Sequence, residues 1–520
     1  MTASRMSGIL LHPTSLPGRW GIGDLGPSAR AFADFLGAAG QRLWQVMPLG
    51  PTGYGDSPYQ CFSAFAGNPL LVSPDDLLAD GLLAAADLSD IPPFPDGHVD
   101  YGAVIPARQA ILRRSFARFQ AGATDGQRAA LAAFREAARA WLPDYALFAA
   151  LKEAHGGASW NTWERPIARH EPAAVREWQA RLADEIAYHE YVQFLFATQW
   201  RRLKAYANER DIRIMGDIPI FVAYDSADVW AHPDLFELDD DGAPTVVAGV
   251  PPDYFSATGQ RWGNPLYRWD VLAQRGYGWW IERFRATFAL VDVARIDHFR
   301  GFAAYWEVPA DAETAINGRW VLGPGAALFE AVEAALGALP IIAEDLGVIT
   351  PDVVALRDRL GFPGMRILQF AWSGDPDDPY LPHNFVPHCV VYTGTHDNDT
   401  TLGWWQSAPE YERQRVQLYL GRDGSDISWD FIRLALASVA ELAIIPLQDV
   451  LKLGNEARMN TPGLAGGNWS WRFHEGQLDP DVAGRLRLLT GLYGRLKPGP
   501  KPPATHPDAV QAAKYHPVPR

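Results

Sequence analysis

The stretch Leu290-Val291-Asp292-Val293-Ala294-Arg295-Ile296-Asp297-His298-Phe299-Arg300-Gly301 decides the fold. It opens apolar and β-branched, then ends in charge and glycine. That is the pattern of a buried parallel strand delivering polar side chains at its C-terminal end. Arg295 and Asp297 are two residues apart and therefore share one side of the strand. Taken alone, the pair reads as a strand-end ion pair as readily as the start of a site. In an eight-stranded α/β barrel, chemistry sits at the C-terminal strand ends.

Working outward, further strands are expected at residues 7–13, 42–48 and 212–219 upstream, and at 339–347, 364–370, 389–399 and 442–447 downstream. With 290–297 these make eight. Helical spans separate most of them, among them 28–39, 187–208 and 351–360, with Pro27 near N1 of the first and Thr350-Pro351 opening the last. The class is α/β, a (β/α)8 TIM barrel. Residues from about 50 to 185 break the alternation. They begin as a turn-rich loop and continue as helices at 107–119, 127–142 and 145–153, a large insertion after the second strand. Smaller insertions follow strands three and four. Residues 250–265 are rich in Gly, Pro and aromatics and suit a lid-like loop. The barrel unit is expected to span 1–496, with a flexible tail at 497–520.

Two motifs are rejected. Gly21, Gly23 and Gly26 match a dinucleotide fingerprint, but they do not directly follow the strand, and no acidic residue ends a second strand about 20 residues on. Residues 236–244 mimic the start of an EF-hand loop, yet Ala248 stands where the bidentate Glu belongs, so an Asp-Gly turn is the better reading.

Composition bounds the function. The chain has 520 residues and is 48% hydrophobic, ample for a core. Its net charge of −15 disfavours nucleic acid or an anionic membrane as partner. Cys61 and Cys389 provide no disulfide framework, which suits a reducing cytoplasm. Residues 1–7 lack a signal-peptide pattern, and no apolar run is long enough to span a bilayer. The chain carries 20 Trp, 18 Tyr and 24 Phe; beyond the core, such rings are stacking platforms for sugars.

On the barrel, Asp297, Glu344 and Asp397 end strands four, five and seven and share one rim. Three carboxylates there exceed what ion pairing needs. Glycosyl transfer through an oxocarbenium-like state uses two, a nucleophile and an acid/base, and a third can bind sugar hydroxyls. A metal site would want more ligands converging, so no metal and no cofactor is expected.

The motifs Arg295 to Gly301, Ala343-Glu344-Asp345-Leu346-Gly347 and Thr395-His396-Asp397-Asn398-Asp399-Thr400 resemble those of the 4-α-glucanotransferases, family 77 of the glycoside hydrolases. The residues at 21–27, 56–60, 215–222, 254–267 and 468–472 resemble that family too, and the likeness runs in order from about residue 5 to 495. The resemblance implies a retaining transferase built as a catalytic barrel with no C-terminal β-sandwich, acting on maltooligosaccharides and other α-1,4-glucans, with cyclic glucans a product of intramolecular transfer. It implies Asp297 as nucleophile, Glu344 as acid/base and Asp397 as the group that holds hydroxyls at the cleaved bond. Arg295 would orient Asp297 and favour its ionised form. Asp217 and His396 would bind hydroxyls, Tyr59 would stack on the sugar, and Tyr254, Phe255 and Trp262 would cover the acceptor side. Asn468 is a weaker carry-over. The alternative is an α-amylase-like hydrolase that passes the same intermediate to water. A non-catalytic glucan-binding protein on the same barrel is disfavoured because all three carboxylates are present. A monomer or weak homodimer in the cytoplasm is expected.

Overall fold

In the computed structural model, residues 5–252, 256–464 and 466–497 are described. Twelve strands are found among them: β1 (Met6–Leu10), β2 (Leu43–Gln45), β3 (Arg213–Pro219), β4 (Val246–Val250), β5 (Gln260–Pro265), β6 (Val293–Asp297), β7 (Ala304–Pro309), β8 (Arg319–Leu322), β9 (Ile341–Ala343), β10 (Gly364–Ile367), β11 (Cys389–Tyr392) and β12 (Leu442–Pro446). Eight form one parallel sheet in the order β10-β11-β12-β1-β2-β3-β6-β9, and these are the eight expected from the sequence. The sheet curls until its ends meet. At the seam the Ala343 N–H donates to Pro363 O at 3.0 Å. Beside it the Met365 N–H donates to Asp345 Oδ1 at 2.6 Å. A (β/α)8 barrel results.

The barrel interior is filled by inward side chains such as Leu43, Met215, Val293, Met365 and Ile444. It is therefore a packed core rather than a pore. A second, larger core lies between strands and helices. The strands are short and buried on both faces, which explains why each reads as a near-continuous apolar run.

The helix ends follow local chemistry. Pro27 opens the helix Pro27–Ala38 at N1. Thr350 and Pro351 start the helix Pro351–Leu360, although the Thr350 side chain makes no capping bond. The expected helix at 107–119 begins earlier, at Tyr101, where the Asp100 side chain accepts the Ala103 N–H, and runs through Pro106 to Gly122. The span expected at 127–142 ends at Ala137, and a new helix starts at Leu142, where Pro143 sits in its first turn.

The main departure concerns residues 246–322. Strands β4, β5, β7 and β8 form a separate antiparallel sheet in the order β5-β4-β7-β8. The expected lid-like loop at 250–265 is thus partly strand, since Gln260–Pro265 pairs with β4. The insertions after the third and fourth barrel strands meet in this sheet through the β4–β7 ladder. At residues 236–244 the Asp239 side chain accepts the Asp241 and Ala243 N–H groups, and Leu238 bridges Pro244, as a tight turn requires. After β12 the described residues add no further strand. Among the described residues no helix is long and apolar enough to cross a membrane. The expected flexible tail falls almost wholly on 498–520, outside the described residues.

Candidate active site

Register builds the centre of the site. In the β3–β6 ladder Asp217 lies directly opposite Arg295. Arg295 Nη1 donates to Asp217 Oδ2 at 2.5 Å, and Arg295 Nη2 lies 3.0 Å from Asp297 Oδ1. One guanidinium thus holds two carboxylates along its planar fork. Burial opposes the Arg295 charge, but Asp217 and Asp297 outweigh it and raise its basicity well above the ordinary value.

Glu344 follows the end of β9, and its carboxyl is held by the backbone. The His298 N–H donates to Oε2 at 2.7 Å and the Leu346 N–H to Oε1 at 2.7 Å. The first bond depends on His298 standing in the left-handed region at φ 53°. That conformation turns the chain sharply after Asp297 and aims the amide across at Glu344.

The two carboxyls are treated differently. Burial, and then the charge of Asp297, pushes Glu344 up to about 8, against the two N–H bonds that favour its anion. Burial also pushes Asp297 up, to about 6, while Arg295 pulls it down. The Asp297 side chain keeps 31% of its surface open to the cleft, so its anion retains water. Surroundings order the two carboxyls, with Glu344 the weaker acid.

Asp397 lies past the end of β11, its side chain 48% exposed. Asn460 Nδ2 donates to Asp397 Oδ1 at 2.6 Å, and His396 Nε2 is 3.4 Å from Oδ2. Arg458 Nη2 donates to the Asp397 carbonyl at 2.6 Å. The Tyr59 ring stacks on His396 with centroids 5.1 Å apart and planes at 16°. Trp469 packs against both rings.

The structure brings Tyr59, Asp217, Arg295, Asp297, His396 and Asp397 into one linked cluster, with Glu344 tied to it through the turn at His298. Asp217 sits deep in the cluster. Its side chain has no exposed surface, and Oδ2 is occupied by Arg295 and by the Tyr59 hydroxyl at 2.8 Å. Its Oδ1 is buried and has no protein partner. Trp262 stands on β5 with its ring at 4.8 Å, edge to face, from His298. Asn468 caps its own loop, accepting the Thr461 N–H at 2.9 Å and donating to Leu464 O at 2.9 Å. Tyr254 and Phe255 lie outside the described residues. Asn460 and Arg458 were not singled out from the sequence, because they reach Asp397 from a distant loop and carry no local motif, whereas Trp469 fell inside the family-like stretch 468–472 without a role of its own.

Comparison with known proteins agrees with this geometry. The family model described as 4-alpha-glucanotransferase, Glyco_hydro_77, matches residues 11–478. A 4-alpha-glucanotransferase of Thermus thermophilus is 54% identical over 504 residues, covering 95% of this chain and 100% of that protein. The chloroplastic/amyloplastic 4-alpha-glucanotransferase of Solanum tuberosum is 46% identical, covering 95% of this chain and 87% of that one. The solved amylomaltase of Streptococcus agalactiae, in complex with acarbose, superposes with a TM-score of 0.92 at 39% identity, covering 95% of this chain and 100% of that chain. A barrel with this rim, matched along nearly its whole length by such relatives, belongs to the 4-alpha-glucanotransferase family, Glyco_hydro_77.

Proposed function

We propose that this chain transfers α-1,4-glucan segments from maltooligosaccharides or amylose to glucose or to the 4-hydroxyl of another glucan, by a retaining double displacement. The Asp297 carboxylate attacks the anomeric carbon as the glycosidic bond breaks. The leaving oxygen takes the Glu344 proton, and a β-glucosyl-enzyme forms on Asp297. The acceptor 4-hydroxyl then attacks that carbon, gives its proton to Glu344 and releases Asp297. The observation that carries this reading is the different setting of the two carboxyls, Asp297 paired to the Arg295 guanidinium and Glu344 held by two backbone N–H groups and pushed further up by burial. The N–H groups on Glu344 orient the acid without blocking it, since a carboxyl oxygen that accepts one hydrogen bond can still carry a proton.

Asp397 is assigned to sugar hydroxyls at the cleaved bond, with His396 beside it and Tyr59 stacking on the sugar face. Trp262 is assigned to the acceptor side. The catalytic unit is residues 1–496, acting as a monomer or weak homodimer in the cytoplasm. The unpaired Cys61 and Cys389 support a reducing compartment.

The deciding experiment is incubation of the purified protein with maltotriose, read by chromatography. The expected result is glucose plus a ladder of longer maltooligosaccharides, with little gain in reducing ends. Glucose and maltose alone, with reducing ends rising in step, would mean that water takes the intermediate and that the chain is an amylase-like hydrolase.

A further inference from the structure

The segment that bears His396 and Asp397 runs from Thr393 to Thr401, directly after β11. The Asp397 side chain is half exposed, so packing does little to fix it and the path of its backbone must. Both ends of that path, Thr393 and Thr401, are fully buried. They meet at one side chain. Asp449 stands in the short helix Leu447–Val450 that follows β12, the neighbour of β11 in the barrel. The Thr393 hydroxyl donates to Asp449 Oδ2 at 2.5 Å, and the Thr401 hydroxyl donates to the same oxygen at 2.7 Å. The Thr401 N–H donates to Oδ1, also at 2.7 Å.

We propose that Asp449 is a positioning residue for glucan transfer: it closes the rim loop 393–401 at its root and thereby sets where Asp397 and His396 stand. The proposal rests on the glucan-transfer reading above.

The chemistry of the tie argues for geometry over filling. Asp449 is fully buried, and burial raises its pKa against the pull of the Thr393 and Thr401 donors. The three groups that donate to it are neutral. A carboxylate in such a place costs more to bury than an apolar side chain of the same size. What it adds is acceptor geometry. An ionised carboxyl accepts at both oxygens and donates from neither, so one group can hold three donors from two ends of a loop.

Other bonds shape the ring so closed. Asn398 Oδ1 accepts the Thr395 N–H and the Thr395 hydroxyl, each at 2.9 Å. Gln369, just past β10, donates from Nε2 to the Asp399 carbonyl at 2.9 Å. At the tip the Asn460 N–H donates to His396 O at 3.1 Å. These contacts steady the middle of the loop, whereas Asp449 fixes where it leaves the barrel and where it rejoins it. A displacement of about 1 Å near a reacting centre can cost about a hundredfold in rate. A loose root would therefore reach Asp397 as lost rate.

Two variants test this. Thr393→Val cuts the upstream tie at nearly constant shape, and Asp449→Asn keeps the shape while turning one acceptor into a donor. Each should lower kcat for maltotriose disproportionation about tenfold, the scale of one hydrogen bond to a charged group, with KM within about twofold. Hydrogen exchange on the folded variants should speed amides at 394–400 and leave those at 389–392 unchanged. In Asp397→Asn enzyme, adding Thr393→Val should cost less than about twofold more, because both changes act through one carboxylate. If Asp449→Asn does not fold, Thr393→Val decides alone. A lower urea midpoint with kcat per folded molecule unchanged would overturn the proposal, since that is what a merely structural bond would give. Full additivity with Asp397→Asn, or faster exchange throughout β11, would overturn it too. Failure of the glucan-transfer reading would look different: the unaltered enzyme would give no ladder from maltotriose, while hydrogen exchange would still show whether Asp449 holds the loop.

Discussion

Arg295 and Asp217 face each other directly across the β3–β6 ladder, and their charged ends meet at 2.5 Å with almost no exposed surface. The same guanidinium reaches Asp297. A buried ion pair of this kind is expensive to break from one side, because the surviving charge is left unpaired in a dry place. Asp217→Ala should therefore cost about 3 kcal/mol of stability as well as activity. Urea denaturation checks the stability. Loss of activity with an unchanged midpoint would mean that Asp217 serves the sugar and not the frame.

The order of the two carboxyls predicts a bell-shaped pH profile of kcat/KM. Activity should rise with pH as Asp297 loses its proton, near 6, because only the anion attacks. It should fall as Glu344 loses its proton, near 8, because only the acid can protonate the leaving oxygen. In Asp397→Asn enzyme the acid limb should move to lower pH, since one neighbouring negative charge that raises Asp297 is gone. An acid limb that moves upward instead would contradict the charge arrangement.

Role assignment can be tested by trapping. Asp297→Asn should fold normally and lose orders of magnitude in rate, since it removes the nucleophile at nearly constant shape. Glu344→Gln should also cripple transfer between maltooligosaccharides. With a glycosyl fluoride its first step should be far less impaired, because fluoride leaves with little protonation. A covalent adduct on Asp297 should then accumulate, visible by peptide mass mapping after quenching. Adduct on Asp397 would reverse the roles given to the two aspartates.

Asn460 offers a test of how Asp397 is held. Its amide donates to Asp397 Oδ1 at 2.6 Å, a charge-assisted bond. Asn460→Ala should lower kcat/KM by about tenfold, the scale of one hydrogen bond to a charged group. In an Asp397→Asn background the same change should cost little more, because both act on one interaction. Full additivity in that double-mutant cycle would place the Asn460 effect elsewhere.

Much of the molecule was determined by the sequence itself. The eight barrel strands are short apolar runs, legible because both faces of each are buried. The rim carboxylates were legible because a strand that ends in charge places that charge at the C-terminal edge, as in Arg295-Ile296-Asp297. What lies between distant residues needed the tertiary structure. The β4–β7 ladder joins two insertions that each read as loop, since neither edge has a partner nearby in sequence. Asn460 stands 63 residues from the aspartate it holds. Asp217 stands two residues before the end of β3, level with Arg295, and only the tertiary structure showed Arg295 and the Tyr59 hydroxyl sharing its Oδ2. The proton order of Asp297 and Glu344 was likewise decided in three dimensions, because burial and neighbouring charge set a carboxyl's acidity and residue type does not.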